Sequence, residues 1–187
     1  MSVPGERLCL ELLAKYQIHP GIIEHSRLVA DVAVFLAEAL RRSAGAGVDV
    51  GVEVDIDVDL VRAGALLHDI GKTKLLAANS NHAEAGARIV EKEGHGELVD
   101  VIRRHQVDAV LEPARKLRTW EEKIVFYTDK LVTREVLPLE ERFADLRKRY
   151  PKLVGLFDLA EPRVRQLEAE IFANLDFTPD ELVRQFA

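Results

Sequence analysis

The sequence predicts an all-α domain, on three observations. Apolar residues recur at three- and four-residue spacings along most of the chain. Capping signals stand where new helices should open: Asn81-His82-Ala83-Glu84, Thr119-Trp120-Glu121-Glu122 and Thr178-Pro179-Asp180-Glu181. Breakers such as Pro20, Gly94 and Pro138 stand where helices should close.

Taken in order, Leu8, Leu12 and Leu13 form the inner stripe of a short first helix. It should end before His19-Pro20, because the residue preceding a proline is pushed away from helical backbone. A long second helix spans about 21–42, with Val29, Val32, Leu36 and Leu40 on one face, until Ser43-Ala44-Gly45-Ala46-Gly47 breaks it. From Val48 to Asp59, valine or isoleucine alternates with acid or glycine, the period of a short hairpin or an extended loop. Its acids lack the spacing of a calcium loop. Asp57 reads as the N-cap of a helix running to about Asp69 through Val61, Ala65 and Leu66. Asn81 opens a helix that stops at Gly94, and His95-Gly96 starts another with Leu98, Val101 and Ile102 inward. Thr119 opens a helix expected to reach Leu137-Pro138, and further helices fall at about 139–149, 162–174 and 179–186. Tyr150-Pro151 is the best joint between a domain over 1–150 and C-terminal helices over 151–187 packed on the same domain.

Composition narrows the function. A chain of 187 residues is long enough for one real core. A net charge of -6 disfavours a stable nucleic-acid complex held by phosphate neutralisation. Arg103-Arg104 and Arg147-Lys148-Arg149 are the local exceptions, able to meet a small phosphorylated ligand. No apolar run is long enough to cross a membrane, and the start of the chain lacks the pattern of a secretory signal, so the expected compartment is the cytoplasm. Cys9, the single cysteine, excludes an internal disulfide and reads as a small packing residue. A homo-oligomer is left open.

Chemistry concentrates where polar residues interrupt apolar helix faces. His25 lies on the stripe of Val29, Val32 and Leu36; His68 continues Val61, Gly64 and Ala65; and His82 begins Ala85, Gly86 and Ile89. His105 follows Leu98, Val101 and Ile102, and Asp129 sits with Val125, Val132 and Val136. Asp69 is one step, about 100°, around its helix from His68. A single inward histidine is most simply a core residue bonded to a backbone carbonyl. Six such groups, two of them carboxylates whose burial costs several kcal/mol unless compensated, are explained together by one or two divalent metals. Mixed imidazole and carboxylate donors suit Fe, Mn, Ni, Co or Zn. His19 and His95 lack an apolar stripe and read as loop residues.

The order His25, His68-Asp69, Asp129 resembles the motif of the HD superfamily, and Leu66-Leu67-His68-Asp69-Ile70-Gly71-Lys72 is similar to its HDIG version. The resemblance covers roughly 20–135. It implies a helical bundle with the metal site at its centre and a metal-dependent phosphomonoesterase or phosphodiesterase. His25, His68, Asp69 and Asp129 are then ligands of a first metal. His82 and His105 are similar to the extra pair in two-metal members, among them HD-GYP cyclic-dinucleotide phosphodiesterases and diadenosine tetraphosphate hydrolases, where the aspartate of the pair bridges the metals. The chain lacks Gly-Tyr-Pro, so the HD-GYP substrate does not transfer. Two metals are expected here. Metals about 3.5–4 Å apart lower the pKa of a water between them and clamp the attacked phosphorus. Asp69 and Lys72 are the expected catalytic pair, and Gly71 should let the backbone turn at the helix end. Lys72, Arg104 and Arg134 are the candidates for binding a phosphate of the substrate, a small phosphorylated molecule, a nucleotide first. The rivals are an HD-type di-iron oxygenase with the same six donors and a non-catalytic helical signalling module.

Overall fold

A computed structural model describes residues 3–45, 55–75 and 81–186. The fold is all-α. Among the described residues it has nine α-helices: α1 (Glu6–Lys15), α2 (Pro20–Gly45), α3 (Val58–Leu67), α4 (His82–Lys92), α5 (Val99–Arg103), α6 (Trp120–Asp129), α7 (Leu139–Arg149), α8 (Val154–Phe172) and α9 (Pro179–Gln185). Short 3-10 turns link several of them, and the one β feature described is an isolated antiparallel bridge between Val132 and Val136. Most of the alternating segment expected as a hairpin or loop lies outside the described residues.

Helix α2 lies along α3 and α6, and α3 packs on α1 and α6, so one apolar core runs between them. Val29, Val32, Leu36, Val61, Ala65, Ile124 and Val125 are fully buried there. Gly64 keeps that core tight: a Cβ on it would stand 2.7 Å from Val101 Cγ1, so α3 meets α5 closely. Cys9 is buried with the core residues and its thiol is pushed up to about 12 by burial, which suits a packing residue. The C-terminal helices add Phe157, Val164, Leu167, Ile171 and Leu182 to the same core. Phe177 and Phe186 close on Phe35 of α2 at ring distances of 5.5 and 5.6 Å. No helix among the described residues is long and apolar enough to cross a membrane.

The capping chemistry fixes several helix starts. Asp57 accepts from Leu60 N at 3.0 Å, Asn81 from Ala83 N and Glu84 N, and Thr119 from Glu122 N. Only Thr178 and Glu181 complete the reciprocal box. Glu84 and Glu122 turn instead to arginines.

Three helix ends differ from expectation. Helix α3 stops at Leu67, and Ile70–Lys72 is a 3-10 turn, so Asp69 leaves the helix rather than following His68 around it. Helix α6 stops at Asp129, well short of Leu137. Beyond it the β-branched Val132 and Thr133 favour extended backbone, and Thr133 Oγ1 accepts from Glu135 N, an alternative to helical bonding. Val132 and Val136 therefore pair across a turn instead of extending a helix face. Helix α8 begins at Val154, eight residues before Pro162, because buried Phe157, Ala160, Val164, Leu167 and Ile171 carry one apolar stripe through the proline.

Candidate metal centre

The six polar interruptions meet at one point. His25 is on α2, His68 and Asp69 follow α3, His82 is the first residue of α4, His105 lies just past α5, and Asp129 is the last residue of α6. Five of the six thus sit at helix ends, and the bundle converges those ends. Gly71 sets the spacing between two of them. A Cβ there would lie 1.9 Å from the carbonyl oxygen of His82, so the 3-10 turn carrying Asp69 rests directly on the start of α4. The glycine serves close approach and not a left-handed turn, since Gly94 is the one described glycine at positive φ.

The donor atoms fall into two groups able to hold a metal ion: His25, His68 and Asp129, and Asp69, His82 and His105. His25 Nε2 is 3.1 Å from Asp129 Oδ1, and His68 Nε2 is 3.4 Å from both Asp129 Oδ1 and Asp69 Oδ2. The other oxygen of Asp69, Oδ1, faces His82 Nε2 at 3.6 Å and His105 Nε2 at 3.5 Å. Asp69 therefore turns one oxygen to each group.

The bonding of the rings tests whether a cation fits. His68 Nδ1 donates to Ala65 O at 2.7 Å and His105 Nδ1 to Ile102 O at 2.6 Å. Those bonds leave each Nε2 aimed inward, the arrangement that orients an imidazole toward a metal. His68 Nε2 and Asp69 Oδ1 are both buried without a hydrogen-bond partner among the described residues. His82 Nε2 and His105 Nε2 face each other at 3.2 Å. A proton shared as a hydrogen bond, or a metal cation, relieves the repulsion between such facing lone pairs. The donor set fits a divalent transition metal.

Electrostatics point the same way. Burial opposes charge on His68, but the Asp69 and Asp129 carboxylates outweigh it and lift the imidazole to about 10. The cluster thus demands a cation at Nε2, which a proton or a metal supplies. Burial and the neighbouring His105 push His82 down to about 4, and burial depresses His105 as well, so both rings are neutral donors near pH 7. Burial works against ionised Asp69 and Asp129. His68 holds Asp69 well below the usual carboxylate range, and Lys130 with His68 does the same for Asp129.

A cavity of about 960 Å³ opens above the cluster, with Asp69, His82, His105 and Asp129 at its floor. Lys72 lines it and donates to Asp69 Oδ2 at 2.7 Å, and Arg134 lines it as an exposed side chain. Arg104 is a correction. It is buried away from the cavity, its guanidinium held by Glu122 at 2.9 and 3.0 Å and by Asp100 at 3.1 Å, which ties α5 to α6. Arg103 is held by Glu84 and Arg147 by Asp158 and Glu161, whereas Arg149 reaches the cavity. His19 is exposed and accepts from Gly21 N at 3.1 Å, capping α2, and His95 lies outside the cluster beside Glu97.

Sequence reasoning missed two neighbours. Lys130 is buried, donating to His105 O at 2.8 Å and to Asp129 Oδ2, so it ties two of the six groups together. Gln106 Nε2 lies 3.1 Å from His82 Nδ1 and steadies that ring. The only signal for either is its place directly after a site residue.

The HD domain family matches residues 22–134. The chain is 31% identical over 192 residues to a tRNA (cytidine(56)-2'-O)-methyltransferase of Thermoplasma volcanium, covering 96% of this chain and 50% of that protein. It is 35% identical over 142 residues to the protein of that name in Picrophilus torridus, covering 70% of this chain and 37% of that one. An uncharacterized protein of Methanocaldococcus jannaschii is 28% identical over 164 residues, with 81% and 88% covered. The chain spans half or less of the two methyltransferases. No solved structure matches.

Proposed function

Since the chain belongs to the HD domain family, whose fold suggests metal-dependent phosphohydrolases, we propose that it hydrolyses a small phosphorylated molecule, a nucleotide first, with a metal-activated water. The observation that supports this reading is the pair of orphaned buried atoms, His68 Nε2 and Asp69 Oδ1, in a cluster whose Asp69, His82, His105 and Asp129 line a cavity of nucleotide size.

In this reading His25, His68 and Asp129 would hold one metal and Asp69, His82 and His105 a second, with one oxygen of Asp69 turned to each group. The metals supply a lowered water pKa and Lewis acidity toward a phosphoryl oxygen. The chain's own residues do the rest. Ala65 O and Ile102 O fix the rings of His68 and His105, and Lys130 holds Asp129 Oδ2 so that Oδ1 faces His25 and His68. Lys72 presents an ammonium at the cavity floor to a phosphoryl oxygen. We assign the methyl transfer named in the two longer relatives to the part of them that this chain does not span.

The test is turnover of a panel of nucleotides, dinucleoside polyphosphates and cyclic dinucleotides by protein loaded with Mn, Fe, Ni or Co. Phosphate or nucleotide release should appear with at least one pair. Asp69→Ala and Asp129→Ala should be inactive and metal-poor, and His19→Ala should match wild type. Wild-type turnover and metal content in Asp69→Ala would contradict the reading. Oxygen consumption by iron-loaded protein without phosphate release would replace it with the oxygenase.

A further inference from the structure

The floor of the cavity comes from the family-matched segment, but one wall does not. Arg142, Leu146 and Arg149 line the cavity at positions i, i+4 and i+7 of α7, one helix face about 10 Å long from Arg142 to Arg149, and Tyr150 follows. All four lie beyond residue 134, where the family match ends. The wall therefore stands outside the family-matched segment.

Arg142 is the informative residue. Its side chain is only 13% exposed. Nη1 donates to Asp145 at 3.1 Å, yet Nε is buried with no partner among the described residues. Nε is closed off from the cavity, so a ligand there meets the terminal nitrogens of the guanidinium. Asp145 also binds Arg149 Nε at 2.8 Å, so one carboxylate serves two guanidiniums and the wall keeps a net positive charge. Of the acids lining the cavity, Asp108 is engaged by Arg115, Asp69 by Lys72 and Asp129 by Lys130, and Glu135 follows Arg134 in the chain. The wall is graded in depth: Arg142 is sheltered, whereas Arg149 and Tyr150 are 57% and 51% exposed. Leu153, Leu156 and Phe157 continue the rim with apolar surface beside the phenol ring.

A phosphate alone fills little of 960 Å³. We propose that the α7 wall is the specificity subsite and that the substrate is a nucleoside 5′-di- or polyphosphate. Arg142 takes a phosphate beyond the one hydrolysed, in the bidentate geometry a guanidinium offers, and Tyr150 stacks on the base. This deepens the phosphohydrolase reading, which assigns the reacting phosphate to the His/Asp floor.

The experiment is calorimetric binding to Mn-loaded protein of two probes that cannot be hydrolysed: methylene-bridged nucleoside 5′-diphosphates, and 5′-phosphonate analogues of the matching monophosphates. Wild type should bind a diphosphate analogue at least tenfold more tightly than its phosphonate partner. Arg142→Ala should erase that advantage while shifting phosphonate affinity less than twofold, with metal content unchanged. Arg142→Gln, which keeps more of the packing, should do the same, so a folding defect in one variant does not decide the result. Tyr150→Ala should weaken both nucleotides alike and leave methylene diphosphonate unaffected. No preference in wild type, no binding of any diphosphate, or an intact preference in Arg142→Gln would overturn the proposal. Turnover of the natural diphosphates, run in parallel, separates the two readings: Arg142-dependent binding without hydrolysis upholds this subsite and removes the hydrolase.

Discussion

Lys72 carries two contacts at once: its ammonium donates to Asp69 Oδ2, while 42% of its side chain remains exposed at the cavity. A group so placed is free to exchange part of its bond with Asp69 for a phosphoryl oxygen as charge develops there. Lys72→Ala should therefore lower kcat by about 10²-fold or more, with metal content intact. Unchanged kcat and KM would reduce Lys72 to a helix-end charge. Five of the six clustered residues were legible in the sequence because each breaks an apolar stripe, an anomaly that needs no knowledge of the fold, and Asp69 only through its place beside His68. Lys130 was not, because a lysine one step past an aspartate looks like any solvent-facing charge. Arg104 misled for the opposite reason. Its neighbour His105 faces the site, but one residue further back the guanidinium falls on the Glu122 side.

Helix ends carry the site, so element packing controls its geometry. The sharpest case is the contact between the 3-10 turn Ile70–Lys72 and α4, where Gly71 touches the His82 carbonyl. Gly71→Ala forces backbone against backbone and should destabilise the fold by about 1–3 kcal/mol or more, an overpacking cost. It should also displace Asp69 from His82, so that metal content falls along with Tm; wild-type Tm and metal content would show that the turn yields freely. The seam between α6 and α8 offers a pH test away from the site. Tyr127 donates to Glu168 at 2.6 Å, and burial raises the Glu168 carboxyl despite that bond. A carboxyl raised on folding contributes stability that is present below its unfolded pKa and lost as pH rises through the folded value. Glu168→Gln, neutral at every pH, should match wild type in Tm at pH 4 and exceed it at pH 7. A variant less stable than wild type at pH 7 would show that the charge-assisted bond dominates. Helix starts were legible through Asp57, Asn81, Thr119 and Thr178. The ends of α3 and α6 were not, because apolar periodicity continues past both and only tertiary contacts tell the chain to leave the helix.

On the scale of the molecule, one cavity is lined by a His/Asp cluster within 22–134 and by a cationic and aromatic wall from α7 onward. The fold class followed from periodicity. The joining of these two parts over one cavity did not, since nothing in the helical pattern of 139–149 tells which face looks at the His/Asp cluster. The net charge of -6 is compatible with an anionic ligand because Lys72, Lys130, Arg134, Arg142 and Arg149 line one opening with Asp69, Asp108, Asp129 and Glu135, and the excess of acid lies elsewhere. The account rests on the two donor groups sharing Asp69. Metal stoichiometry by elemental analysis, after anaerobic purification with metal in excess, tests it most directly. Two metals per chain are predicted for wild type and about one for the His82→Ala/His105→Ala double variant, which should also lose most of its activity. A wild-type stoichiometry that stays at one in metal excess, with the double variant still active, would contradict it.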